Sequence, residues 1–177
     1  MAKILIATEK PFAKVAVDGI KEVAETAGLE IVLLEKYTEK AQLLAAVADV
    51  EAMIIRSDKI DNEVFDAAKN LKIFVRAGAG YDNIDIVYAR KKNVDVMNTP
   101  GANSNAVAEE VMAMILAYYR HIVQADATTR EGLWEKKKYM GSELTKKTVG
   151  IIGLGNIGRN LVKRLQGFEP ILLGYAH

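Results

Sequence analysis

There is no cysteine in this chain, which excludes a disulfide framework, a thiolate metal site and thiol nucleophilic chemistry. That absence fits a reducing compartment. No apolar run reaches transmembrane length, and the stretch from Met1 to Lys10 is too short in apolar length for a secretory signal. No sign of charge is in excess: 24 basic residues face 23 acidic ones, a formal net charge of +1. A balance so close to neutral argues for neither nucleic acid nor an anionic membrane as partner. Histidine is scarce, at two residues. His121 falls inside a helical pattern with no partner nearby in sequence, and His177 is terminal. There is no metal-ligand spacing and no Ser–His–Asp arrangement. The simplest reading is a cytoplasmic protein with no metal.

What is present is apolar substance in an ordered pattern. Half of the 177 residues are apolar, enough for one or two domains with sizeable cores. Strand-like runs at Lys3–Thr8, Leu29–Leu34, Ala52–Arg56, Lys72–Arg76 and Val94–Met97 alternate with helical patterns. The latter are Pro11–Ala27, a helix capped by Thr38 and running through Val47, a short helix capped by Asp61, and Ile84–Lys92. Short apolar runs alternating with helices predict βαβ units and a parallel sheet.

The turn-rich stretch Asn98-Thr99-Pro100-Gly101-Ala102-Asn103-Ser104 suits a domain boundary, dividing the chain into residues 1–98 and 99–177. Asn103 or Ser104 can cap the next helix, which the pattern carries from Asn105 to about Glu131. It has two apolar stripes, one through Val107, Val111, Met114, Ile115, Tyr118 and Ile122, the other through Met112, Leu116, Tyr119 and Val123. A helix apolar on two faces is buried on two faces. One covers a nucleotide-type sheet. The other predicts a second subunit, with the interior of a larger monomer as the alternative.

The most specific motif is Gly153-Leu154-Gly155-Asn156-Ile157-Gly158, set between the apolar run Thr148–Ile152 and the helical stretch Arg159–Gln166, with a second apolar run at Ile171–Leu173. In that context GxGxxG is a dinucleotide fingerprint. Its first glycine permits the tight turn, its second lets a pyrophosphate approach the backbone, and its third lets helix pack on strand. The helix start offers unpaired N–H groups to the phosphates.

A second constellation lies where two strands end on arginine: Ile54-Ile55-Arg56-Ser57 and Phe74-Val75-Arg76-Ala77-Gly78-Ala79-Gly80. Ligands of open parallel sheets bind beyond the carboxyl ends of the strands. Guanidinium forks match carboxylate and phosphate, and the Ala77–Gly80 loop can present consecutive N–H groups as an anion nest. The pattern points to a small anionic substrate, most simply a carboxylate with room for a phosphate. The basic run Lys136–Lys138, in a loop with Trp134 and Tyr139, is either solvated surface or added positive potential for a phosphorylated substrate.

These blocks, together with Tyr81-Asp82-Asn83-Ile84-Asp85, Val96–Gly101, Val107-Ala108-Glu109, Trp134 and Gly141–Leu144, closely resemble the D-isomer-specific 2-hydroxyacid dehydrogenases on their phosphoglycerate branch. The similarity covers nearly the whole chain. It implies an α/β architecture, with a flavodoxin-like parallel-sheet substrate domain followed by the start of a Rossmann domain. It implies NAD-dependent oxidation of 3-phosphoglycerate to 3-phosphohydroxypyruvate, the first step of serine biosynthesis, by a homodimer or tetramer. By motif match, Arg56, Ser57, Arg76, Gly78 and Gly80 would hold substrate, with Asn103 near the cleft. Gly153, Gly155, Asn156, Ile157, Gly158 and Ala79 would meet the cofactor.

Two departures qualify that expectation. The family's catalytic arginine, glutamate and histidine lie past His177, so this chain holds no catalytic residue and acts only as part of a longer one. An acidic residue about 20 positions along the fingerprint normally holds the ribose hydroxyls, and by the family's spacing that position is Ala176. NADP therefore stands beside NAD as a candidate. Two further readings of the scaffold are a sister enzyme, such as a glyoxylate or hydroxypyruvate reductase, and a non-catalytic NAD(H)-binding interaction protein.

Overall fold

The computed structural model describes Met1–Ala176; His177 lies outside the described residues. The chain forms two compact units, Met1–Pro100 and a second beginning at Gly101.

The first unit holds five strands: β1 (Lys3–Thr8), β2 (Glu30–Glu35), β3 (Ala52–Ile55), β4 (Ile73–Arg76) and β5 (Asp95–Met97). All pair in parallel in the order β2-β1-β3-β4-β5. Four helices make the crossovers: α1 (Lys14–Thr26), α2 (Lys40–Val47), α3 (Asn62–Ala67) and α4 (Ile86–Lys91). In this order the step from β1 to β2 runs one way across the sheet and the later steps run the other way. Right-handed crossovers therefore place α1 on one face and α2, α3 and α4 on the opposite face.

The core follows that division. Leu5, Ala7, Met53, Ile55 and Phe74 are fully buried together with Leu43 and Val47 of α2, Val64 and Phe65 of α3, and Ala89 of α4. Phe65 and Phe74 pack ring to ring at 6.2 Å. On the other face, Ile4 and Ile54 line a groove together with Ala16, Gly19, Ile20 and Ala24 of α1.

Local sequence explains most boundaries. Pro11 and Phe12 precede α1, whose first helical residue is Lys14. The cap of α2 is Glu39 and not Thr38, because the Gln42 side chain reaches back to accept from the backbone N–H of both Thr38 and Glu39 and completes a capping box. Asp61 is the N-cap of α3, and its carboxylate also pairs with Lys40 of α2 at 2.7 Å.

The second unit contains α5 (Ser104–Tyr119), α6 (Ile122–Arg130), β6 (Thr148–Ile152), α7 (Asn156–Leu165), a 3-10 turn (Gln166–Phe168) and β7 (Ile171–Tyr175). The two strands pair in parallel. Ala108 and Met112 of α5 pack with Ile151, Leu161 and Leu165. The single long helix expected from Asn105 to Glu131 is two helices. His121 takes a left-handed conformation (φ 52°) between them, and the backbone of Gly141 and Ser142 seats against the break. The Ser142 N–H donates to the Tyr119 carbonyl at 3.0 Å, and a Cβ at Gly141 would collide with that same carbonyl. No glycine or proline marks the break, so the periodicity runs through it. Of the two stripes, Met112 is buried in the core, whereas Met114, Tyr118, Ile122 and Val123 are exposed. Among the described residues no helix is long and apolar enough to cross a membrane.

Phe74 is fully buried at the centre of the sheet's helix-covered face. Phe74→Ala should therefore lower stability by about 3–5 kcal/mol, read as a shift in the urea midpoint of the first unit. Four carboxyls, Asp49, Glu51, Asp61 and Asp66, are held below the usual carboxylate range, each first by a lysine hydrogen bond from Lys3, Lys72, Lys40 and Lys92 respectively. Each binds its proton more weakly folded than unfolded. Their contribution is complete above the ordinary carboxylate pKa of about 4 and is lost as pH falls through the depressed values. An acid titration by circular dichroism should show this loss, and 1 M salt should shrink it, since the pairs are exposed.

Candidate functional site

Parallel strands place all their carboxyl ends on one edge, and the loops that follow them carry the candidate substrate residues. Register pairs Ile55 with Arg76, so Arg56 and Arg76 leave adjacent strands at the same edge. Arg56 and Ser57 are exposed, while Arg76 is half-buried. Among the described residues neither arginine forms an ion pair with a carboxylate. The Nε of Arg76 is buried without a hydrogen-bond partner. A buried donor left unmet is unfavourable unless something fills it, which makes the Arg76 Nε an anion-directed feature.

Gly78 is needed for that arrangement. The Arg76 guanidinium lies where a Cβ on Gly78 would stand, so any larger residue there evicts it. The Gly78 N–H turns back to the Arg76 carbonyl at 2.8 Å. The loop is then held from β5: the Asn98 side-chain amide donates to the Ala79 carbonyl at 2.8 Å, and the Thr99 N–H donates to the Gly78 carbonyl at 3.0 Å. Ala79 and Gly80 thus sit in a loop whose carbonyls are occupied within the protein. The sequence pattern assigns no role to the Asn98 side chain. Its place directly after a strand, before Thr-Pro-Gly, is the signal that points to a loop-holding amide.

The fingerprint loop has the geometry its glycines predict. Gly153 takes φ 94°, where a side chain is strained. Nothing stands within 4 Å of a Cβ built on Gly153 or Gly155, leaving open space in front of the turn. Gly158 is buried, and a Cβ there would collide with the Gly153 carbonyl. The strand-to-helix turn closes only with glycine at that position. Gly155 is the N-cap of α7 and offers no side-chain cap, and the first turn, which holds Asn156 and Ile157, has no acidic residue. The positive end of the helix is therefore uncompensated. These residues fit a dinucleotide pyrophosphate.

Asn103 is exposed at the N-cap of α5, without a side-chain capping bond. Ala176 follows β7 directly, the place from which a carboxylate would reach a ribose; no carboxylate stands there. His121 is the hinge residue described above, with its ring 6.3 Å from that of Tyr139. Of the basic run, Lys138 is engaged by Glu135 at 3.0 Å and lies over the Tyr139 ring. Among the described residues no cluster of potential ligands can hold a metal.

The comparisons with known proteins agree with this geometry. Residues 6–167 match the family D-isomer specific 2-hydroxyacid dehydrogenase, catalytic domain. The chain belongs to that family. Among its relatives, a D-3-phosphoglycerate dehydrogenase of Archaeoglobus fulgidus is 42% identical over 174 residues, covering 98% of this chain and 32% of the relative. A hydroxypyruvate reductase of Thermotoga maritima is 42% identical over 147 residues, covering 82% of this chain and 48% of the relative. The solved structure of an NAD+-bound 3-phosphoglycerate dehydrogenase of Entamoeba histolytica superposes with a TM-score of 0.82 at 41% identity, covering 99% of this chain and 54% of that one. This member of the 2-hydroxyacid dehydrogenases thus spans between a third and a half of the curated relatives' lengths.

Gly158→Ala should destabilise the second unit and weaken dinucleotide binding, because the added methyl meets backbone that cannot yield. Thermal melts of the variant with and without NADH check this. An unchanged melting temperature and unchanged NADH shift would overturn it.

Proposed function

We propose that this chain supplies the substrate-holding unit and the fingerprint part of the dinucleotide unit of an NAD-dependent D-2-hydroxyacid dehydrogenase acting on 3-phosphoglycerate. The observation that carries the reading is the Arg56–Arg76 pair at the sheet's carboxyl edge, unpartnered by carboxylates, with a buried unmet N–H on Arg76. Two cations beside a backbone loop select a dianionic or trianionic acid over a neutral one. The family membership, and relatives named for 3-phosphoglycerate, support the same substrate.

In this reading Arg56 and Arg76 grip the substrate carboxylate, while Ser57 and the Gly78–Gly80 loop orient it. Bound NAD supplies the hydride acceptor for C2. Backbone N–H groups of Asn156 and Ile157 hold the pyrophosphate, the Gly153 and Gly155 turn admits it, and Gly158 keeps α7 close behind. Ala79 belongs to the cofactor-binding set and Asn103 to the substrate-binding set. The proton acceptor for the hydroxyl lies outside these residues. With Ala176 at the ribose position, discrimination against NADP is weak. Self-association through the exposed α5–α6 face of Met114, Tyr118, Ile122 and Val123 belongs to the same proposal, as does a cytoplasmic setting for serine synthesis.

A second reading, reduction of hydroxypyruvate, is favoured by the Thermotoga relative at the same 42% identity. Calorimetric titration separates the two. The chain should bind NADH, and should bind 3-phosphoglycerate more tightly than D-glycerate. Arg76→Ala should weaken the acid by about 10–100-fold, as expected for a lost charge-assisted pair, without moving the NADH affinity. Equal affinity for D-glycerate would favour the reductase. Arg76→Ala binding as tightly as the parent would remove the arginine pair from the site.

A further inference from the structure

Asp58 is the least expected residue at the carboxyl edge. It follows Ser57 directly, yet it is only 4% exposed, and among the described residues no cation is paired to it. A buried carboxylate is strongly unfavourable unless its hydrogen bonds recover the lost hydration. Here one carboxylate oxygen is met from two other loops and the Asp58 backbone carbonyl from a third, while Oδ2 is buried without a partner among the described residues. The Glu9 N–H, after β1, donates to Asp58 Oδ1 at 2.8 Å. The Tyr37 hydroxyl, after β2, donates to the same oxygen at 2.7 Å within the interior. The Asn83 side-chain amide, after β4, donates to the Asp58 carbonyl at 2.7 Å. The joint continues along the chain: the Ile60 N–H donates to the Asn83 carbonyl at 2.8 Å, and the Asp85 N–H donates to the Ile60 carbonyl at 3.0 Å.

The position of this joint gives it consequence. Arg56 and Ser57 are exposed. They are suspended between Ile55, fully buried, and Asp58. Whatever holds Asp58 sets where the guanidinium and the hydroxyl stand. Asp58 also lines, with Thr8, Glu9, Lys10 and Ser57, a small pocket of about 110 Å³ at this edge. Burial and the Asp58 carboxylate together push the Tyr37 phenol well above the ordinary tyrosine range, so the hydroxyl stays a donor at any physiological pH.

We propose that Asp58 is a positioning residue, whose buried carboxylate ties the loops after β1 and β2, and whose backbone carbonyl ties the loop after β4, to the Arg56–Ser57 turn, and which so presents both groups to an anionic substrate. The inference rests on the substrate role proposed above for Arg56 and Ser57. Preorganisation of this kind raises affinity by removing the ordering loss that a free turn would suffer on binding.

The test compares Asp58→Ala, Asp58→Asn and Tyr37→Phe in the full 177-residue chain. One readout is amide hydrogen exchange at Glu9, Ile60 and Asp85; the other is calorimetric affinity for 3-phosphoglycerate, with NADH as control. Asp58→Ala should speed exchange at Glu9, whose N–H loses its acceptor, leave Ile60 and Asp85, which bond through Asn83 and backbone, as internal references, and weaken 3-phosphoglycerate on the order of tenfold, the scale of one lost hydrogen bond to a charged group, at constant NADH affinity. Asp58→Asn keeps an oxygen for both donors and should return affinity to within about threefold. Tyr37→Phe should fall between and carries the test if Asp58→Ala does not fold. Unchanged exchange in Asp58→Ala, failure of Asp58→Asn to rescue, or parallel loss of NADH and acid binding would each overturn the inference. If the parent chain binds NADH but no 3-phosphoglycerate, the substrate reading fails instead, and the exchange comparison alone decides whether Asp58 orders the turn.

Discussion

Parallel pairing is the constraint from which the rest of the molecule follows. Five strands running the same way deliver five carboxyl ends to one edge, and each crossover must return along a face of the sheet before the next strand can begin. The edge therefore collects loops from distant parts of the sequence without further design. Residues 9, 37, 58 and 83 meet there because the strands before them are adjacent. The faces supply the cohesion, and the proposed chemistry lies at the edge. Apolar contact of Phe74 with Phe65 lies well inside the sheet, whereas the unpartnered arginines lie where the sheet runs out.

How much of this was legible in the chain depends on whether the signal was local. The strands were legible because Leu5, Ile6 and Ala7, buried in succession, leave the continuous apolar run that a two-sided parallel strand requires. The fingerprint glycines were legible for a similar reason: Gly158 must lack a side chain because Gly153 is five residues away, and the motif records that proximity as spacing. The Arg56–Arg76 pair was legible through the strand ends. The break at Arg120–His121 was not, because what seats against it is Gly141, some twenty residues on, and nothing at positions 120 and 121 departs from the helical pattern. The cap of α2 was misplaced by one residue because Thr38 is a good cap type, and the deciding contact is made by the Gln42 side chain. Asp58 was illegible altogether. Its partners are 21 and 49 positions away in sequence, and an aspartate after a strand reads as an ordinary turn residue.

In the proposed function the two units would hold anions by different physical means. In the first, charge is carried by side chains whose placement depends on loop-to-loop hydrogen bonds. In the second, the positive potential belongs to the backbone at the start of α7, and glycines serve only to clear space before it. Side-chain charge distinguishes one acid from another through fork geometry. A helix terminus is tolerant of what carries the phosphate. A substrate that must be recognised and a cofactor that must be shared among many enzymes suit these two means respectively.

The seat of the Arg76 guanidinium on Gly78 makes the two positions one unit for anyone redesigning this edge. A side chain at 78 takes the space the guanidinium occupies and turns it out of its seat, so a change at either position has to be chosen with the other in view.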